Sequence, residues 1–267
     1  MSLIETYLTL GLPNVEGWLE LYSAEWIAVL SHVQRNASIS GAVAEIGVHH
    51  GKLFILLLLG KYRSEGSLVI DIFDKQHLNI DGSGRGDQTI FLDNIKRWRG
   101  DTDDVTIFAR SSLDVSAQDI IGAVGTLRLL SIDGGHTEEC AFNDICLAER
   151  VLHDHGVAIL DDVFHPDWPG VISGLARYIY QSSILRPFAI TPNKVYLARS
   201  HNCEFYQSEM CKRFKSRRST TMFGVPVECY GDGSFVGFAR NKARENLIGR
   251  YLWMIKRRLH GQVLVDP

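Results

Sequence analysis

Two segments carry the residues best suited to chemistry: SIDGGH at 131–136 and AILDDVFHP at 158–166. Each closes an apolar run with acidic residues, Asp133 in the first and Asp161 with Asp162 in the second. If both runs are neighbouring strands of one sheet, about 4.8 Å apart, the three carboxylates converge at the strands' carboxyl ends. Crowded carboxylates repel one another and resist ionisation unless a cation neutralises them. An all-oxygen set favours magnesium, calcium or manganese over zinc. Such a cation positions a substrate oxygen, lowers the pKa of its hydroxyl and stabilises the developing oxyanion. His136, three residues beyond Asp133, is placed to take the proton, because an imidazole titrates near neutral pH. The bland alternative makes Asp161 and Asp162 loop caps and His136 a turn residue, and the co-occurrence of all of them weighs against it. His165, directly before Pro166, reads mainly as a turn residue.

A second constellation is Glu45-Ile-Gly47-Val-His-His-Gly51, an acidic residue and two glycines where a strand turns into a helix. Glycine permits a tight turn and lets backbone approach a ligand, while the carboxylate accepts hydrogen bonds or meets a positive charge. That combination suits the cationic sulfonium of S-adenosylmethionine. A nicotinamide enzyme would instead carry G-x-G-x-x-G, and the spacing here is E-x-G-x-x-x-G. Asp71, in LVIDIF some twenty residues on, stands where a strand-end acid can accept both ribose hydroxyls, with Asp74 ranked second. Ser111 and Ser112 follow the next strand and suit either adenine contacts or helix capping. His49 and His50 either line the pocket or tolerate exposure.

The elements that must hold these residues alternate. AVAEIGV, LVIDIF (68–73), VTIFA (105–109), LRLLSID (127–133) and GVAILDD (156–162) read as strands, whereas Lys52 to Gly60, FLDNIKRW (91–98) and ECAFNDICLAERVLHDH (139–155) read as helices. Such alternation, with apolar strands, predicts a doubly wound α/β fold in which helices cover both faces of a mostly parallel sheet ordered 3-2-1-4-5. PFAIT and KVYLARS flank Pro192 and Asn193 and predict a closing antiparallel hairpin. Residues 14–36 carry helical periodicity and are read as a cap. The expected division is an N-terminal helical cap over 1–39, a core over 40–200 and a C-terminal appendage over 201–267.

With 267 residues, 45% hydrophobic and 22% charged, the chain is long and apolar enough to bury a sizeable core. A net charge of -3 argues against nucleic acid as a partner and points to a small molecule. The longest apolar run, Leu53 to Leu59, is far too short to span a bilayer, and no leader pattern opens the sequence, so a cytoplasmic location is expected. Five cysteines without a C-x-x-C pair fit reduced thiols. The basic run CKRFKSRR (211–218) reads as a solvated face, and a strand is expected within FGVPVECY. The helix-like ENLIGRYLWMIKRRL, with Tyr251, Leu252, Trp253 and Ile255, suits either a subunit interface, hence a homo-oligomer, or packing back on the domain.

EIGVHHG, VIDIFD and SIDGGHTEECAFNDICLAERVLHDHGVAILDD together resemble class I S-adenosylmethionine-dependent methyltransferases. The resemblance is to the macrocin O-methyltransferase-like group of metal-dependent sugar and natural-product enzymes, over residues 40 to 200. It implies a seven-stranded, Rossmann-like sheet with a reversed last strand. It also implies cofactor binding at Glu45, Gly47 and Asp71, to which the residue reading adds Gly51 and Ser112. By the same resemblance a divalent metal, magnesium on the oxygen-ligand argument, sits at Asp133, Asp161 and Asp162, with His136 and Asp133 as the catalytic pair. Where relatives often place an aromatic after the DGxH segment, this chain has Thr137-Glu138-Glu139-Cys140, which leaves the acceptor pocket open. Two rivals stand beside this reading: a hydroxylase using His136, His165 and one aspartate around iron, and a non-catalytic scaffold.

Overall fold

The computed structural model describes residues 2–182 and 184–231. The helix-like segment 245–259 and the four tail residues within it lie outside this range. A short capped turn, α1 (Leu3–Thr6), and a wide helical turn lead to α2 (Leu21–Asn36), which begins later than its periodicity predicts. The stretch 15–20 before it is irregular. From there the chain alternates: β1 (Ala42–Ile46), α3 (Lys52–Gly60), β2 (Ser67–Ile70), α4 (Gln88–Arg99), β3 (Val105–Phe108), α5 (Ala117–Val124), β4 (Leu127–Ile132), α6 (Glu138–Val151), β5 (Leu152–Asp161) and α7 (Pro169–Gln181). It closes with β6 (Leu185–Thr191), β7 (Lys194–Arg199), α8 (Cys203–Cys211), β8 (Arg218–Met222) and β9 (Val225–Cys229).

These strands form one sheet, ordered β3-β2-β1-β4-β5-β7-β6-β9-β8. The first five are parallel, and β7 runs antiparallel to both β5 and β6. The doubly wound fold and the reversed strand are therefore present, with nine strands rather than seven. The two additional strands come from residues 218–229, where β9 attaches parallel to β6 through Ala189 and Ile190.

Alternation along each strand divides the apolar residues between two cores, as the two-residue repeat of a pleated strand requires. Val43, Val69, Leu129, Ile159 and Tyr196 face the layer that includes α2, α3 and α8, while Ala44, Ile70, Leu130, Leu160 and Leu197 face α6 and α7. Three helices went unread in the sequence: α8 beyond the expected core, and α5 and α7 within it. α7 contains Gly170 and Gly174, poor helix formers. A Cβ at Gly174 would sit 2.7 Å from the Ala141 Cβ, so close packing of α6 on α7 demands the glycine that hides the helix. α5 is only eight residues long.

One boundary differs in the opposite direction. The helix expected to run to residue 155 ends at Val151, and Leu152 pairs with Leu127 while Val157 pairs with Leu129. The intervening His153, Asp154, His155 and Gly156 bulge out of register. Sheet pairing overrides a pattern that is locally compatible with helix. Among the described residues no helix is long and apolar enough to cross a membrane.

Candidate functional site

The strand order reverses between β1 and β4, and the carboxyl ends of the strands open there into a cavity of about 450 Å³. Open α/β sheets bind their ligands at this place, and the volume suits a ligand of cofactor size. Register aligns the functional residues across the sheet. Glu45 pairs with Ser131, Ser131 with Ile159, and Asp161 with Lys194. Just beyond the strands, the Asp133 amide donates to Ile46 O at 2.9 Å. Gly47 has φ +78, and a Cβ there would lie 1.8 Å from the Asp133 carbonyl oxygen. The glycine is thus needed to bring the two loops together, and it also lines the cavity.

His136 stands at the centre of the polar group. Its backbone N–H donates to Asp81 Oδ2 at 2.6 Å, and its Nδ1 lies 3.0 Å from the same oxygen and 3.1 Å from Ser83 Oγ. On the other side Nε2 lies 3.1 Å from Asp162 Oδ2 and 3.9 Å from Asp133 Oδ1. Trp168 stacks on the imidazole at 4.5 Å. Burial disfavours the imidazolium, but hydrogen bonds to Asp162 and Asp81 outweigh it and push the pKa up to about 9. Burial likewise opposes the charge on Asp81, yet bonds from His136 and Ser83 bring its carboxyl down to about 2. For Asp162 too, burial is outweighed by bonds from His136 and Asn193, which hold it below the usual range. Asp133 moves the other way: burial, then the Asp161 charge beside it, raise its pKa.

The three aspartates of the sequence reading divide. Asp133 and Asp162 gather with His136, their ligand atoms all within 4.8 Å of one another. Asp161 is buried and its carboxylate is already engaged. Oδ2 pairs with the Lys194 ammonium, and Oδ1 accepts from the Asp162 amide at 3.0 Å and from Asn193 Nδ2 at 3.1 Å. Lys194 is itself buried, and Asp161, Asp133 and Glu45 outweigh the desolvation of its ammonium and raise its pKa. The chain therefore supplies one fixed positive charge to this acidic end. A divalent cation still fits the remaining donors, because magnesium is commonly held by one or two carboxylates and retains waters. His165 faces Asp167 at 3.9 Å and is not part of the gathered group.

The cofactor candidates also sort by position. Gly47, Asp71 and Ser112 line the cavity, whereas Glu45 and Gly51 do not. Glu45 is buried in β1, its Oε2 without a hydrogen-bond partner, and burial followed by the Asp133 charge raises its pKa. Gly51, with φ +86, caps α3 under the Phe91 ring. Asp71 accepts the amides of Val48, His49 and Phe73 at 2.7, 2.9 and 2.6 Å. A carboxylate offers about four acceptor sites, so this geometry leaves room for one further donor. Ser111 caps the following turn by accepting the Leu113 amide, and Asp74 lies outside the cavity lining.

Sequence reasoning missed Asp81, Ser83, Trp168, Asn193 and Lys194. Asp81 sits in DGSGRGD, whose composition signals only a loop, and Lys194 opens a strand where nothing marks it as buried. The pattern did hold one usable signal: Asn193-Lys194 follow Pro192 in the very hairpin that must return beside β5.

Residues 44–163 match the family model described as a methyltransferase domain. A search of curated proteins gives no match. Among solved structures, the O-methyltransferase NovP is similar at 18% identity and a TM-score of 0.57, covering 67% of this chain and 80% of its own. Cofactor-bound Rv0187 from MTB gives 18% and 0.53, covering 73% and 88%. The O-methyltransferase from Bacillus cereus in complex with SAH gives 16% and 0.50, covering 73% and 88%. At these identities the likeness is one of fold, and the fold is that of the methyltransferases.

Proposed function

We propose that the chain is an S-adenosylmethionine-dependent O-methyltransferase acting on a hydroxyl of a small molecule, with a divalent cation, magnesium by preference, at Asp133 and Asp162. The observation that carries this reading is that Asp133, His136 and Asp162 share one cavity with the Gly47 turn, Asp71 and Ser112. Methyl acceptor chemistry and a place for the cofactor are thereby adjacent. The match to a methyltransferase-domain model and the fold of the SAH-bound relative support the cofactor assignment.

In this reading the Gly47 turn lets backbone approach the cofactor, Asp71 accepts one ribose hydroxyl through its remaining lone pair, and Ser112 borders the adenine. Glu45 and Gly51 act from beneath, shaping the turn. The cation, when bound, supplies Lewis acidity to the acceptor oxygen. Asp81 holds the Nδ1–H of His136, so Nε2 is the atom that would take the hydroxyl proton, in the neutral imidazole form that becomes available as pH rises towards about 9. Lys194 keeps Asp161 neutralised, so that β5 delivers Asp162 alone. The methyl group already sits on a sulfonium, and alignment with the acceptor oxygen is the remaining requirement. Trp18, Leu78 and Ile80 line the cavity while 75%, 38% and 68% exposed, an apolar rim that favours an acceptor with an aromatic or aliphatic face, such as a natural product or sugar conjugate.

Calorimetric titration with S-adenosylmethionine, repeated with magnesium and with a chelator, tests the reading. Micromolar binding, about -8 kcal/mol, supports it. Absence of binding under all three conditions overturns it.

A further inference from the structure

A second group of metal-type ligands lies at the edge of the same cavity and takes no part in the chemistry above. Glu16, His49 and His50 each present a ligand atom, all within 4.8 Å of one another. Glu16 comes from the irregular stretch before α2, and the two histidines come from the turn between β1 and α3.

His50 is 6% exposed, and its Nδ1 has no hydrogen-bond partner although Glu16 Oε2 stands only 3.4 Å away. His49 Nδ1 is likewise buried without a hydrogen bond. The His50 Nδ1 thus stands beside a carboxylate without a formed hydrogen bond, whereas buried polar atoms normally find partners. His49 is also held at φ +50, a conformation uncommon for side-chain-bearing residues, and its ring lies 3.8 Å from that of His50. Zinc bonds of about 2.0–2.1 Å in tetrahedral geometry put ligand atoms roughly 3.3 Å apart. The His50–Glu16 separation already matches this, and the rest of the set needs only side-chain rotation.

We propose that Glu16, His49 and His50 form a separate transition-metal site of the two-histidine, one-carboxylate type, taking zinc, that ties the 15–20 stretch to the cofactor turn. Three protein ligands leave a fourth position open. Lys52 Nζ already donates to Gly17 O at 2.9 Å, and Trp18 lies 5.4 Å from the His49 ring, so the metal completes a strap across the cavity mouth. Softer imidazole donors distinguish this site from the carboxylate pair at Asp133 and Asp162. The site itself stands independently of the methyl-transfer reading; only its effect on cofactor entry rests on that reading.

The test is titration of the chelator-treated full chain with cobalt(II), followed by visible absorption, with zinc added in competition. The expected result is an absorbing complex displaced by zinc. Glu16→Gln, which changes an exposed side chain, should weaken it by more than the about 10–100-fold that loss of an outer partner costs, and His50→Ala should remove one equivalent of bound metal. Circular dichroism of both variants guards against misfolding, and His49→Gln serves as the second ligand variant if His50→Ala does not fold. An unchanged spectrum and stoichiometry in Glu16→Gln and in a folded histidine variant overturns the site. Loss with the histidine variant alone overturns the strap. Cobalt binding without S-adenosylmethionine binding would separate failure of the proposed function from failure of this site.

Discussion

The two ends of β4 hold two buried charge clusters built to different rules. At its start, Arg128 is fully buried and every donor is used: Nε and NH2 bond the two oxygens of Glu65 at 2.9 and 3.1 Å, NH1 bonds Ser31 and Gln34, and NH2 reaches Gly60 O. One positive charge meets one negative charge, and the network is closed. Beyond its other end, Lys194 faces Asp161, Asp133 and Glu45, and His136 lies among Asp133, Asp162 and Asp81. Acid is in excess, Glu45 Oε2 lacks a hydrogen bond, and the group opens on the cavity. A closed network is structural, because nothing is left for a ligand to satisfy. An open one keeps capacity in reserve, and its location at the carboxyl ends of the strands is where a ligand arrives.

The comparison can be sharpened by removing one group from each end. His136→Gln, at the open end, should lower turnover by about 10²–10⁴-fold, with less loss of stability than any change to Arg128; initial rates and thermal melts on the same preparation decide this. Arg128→Met, at the closed end, leaves Glu65 buried and unpaired and should cost about 3–5 kcal/mol, measured by urea unfolding, with magnesium giving no recovery. Lys194→Met strands Asp161 in the same way and should cost a similar amount. Here, however, added magnesium or manganese should restore part of the stability, because the neighbouring carboxylates can share the cation. Equal response of both variants to divalent cations would abolish the distinction between the two ends.

A smaller effect concerns Asp144, on α6 near the open end. Burial raises its pKa from 3.8 to about 6, only partly offset by Ser112 and Asn143. The folded chain therefore holds this proton to higher pH than the unfolded chain, so the Asp144 contribution is fully present below about 3.8 and is lost as pH rises through about 6. Asp144→Asn should raise stability above pH 6 by about 1–3 kcal/mol and flatten the slope between those two pH values. Denaturation midpoints across that range check it, and an unchanged slope would mean that the group is not desolvated as described.

The sequence by itself determined the alternation of β1 through β5, the helices α3 and α4, the closing hairpin and the acidic strand ends. These follow from local rules: apolar runs, glycine turns and strand-terminal aspartates are all readable within a few residues. Even the pair Asp133 and His136 was legible, being three residues apart on one loop. Tertiary structure alone decided which aspartate was free. Asp161 and Asp162 are adjacent and chemically alike, yet Asp161, the last residue of β5, goes to Lys194, while Asp162, just past the strand end with φ +56, goes to His136. It also decided that Asp81, 55 residues before His136, would hold its imidazole, and that Glu45 would lie beneath the cavity rather than in it. Contacts between segments distant in sequence depend on register, crossover and packing, and no local pattern encodes which side chain will meet which.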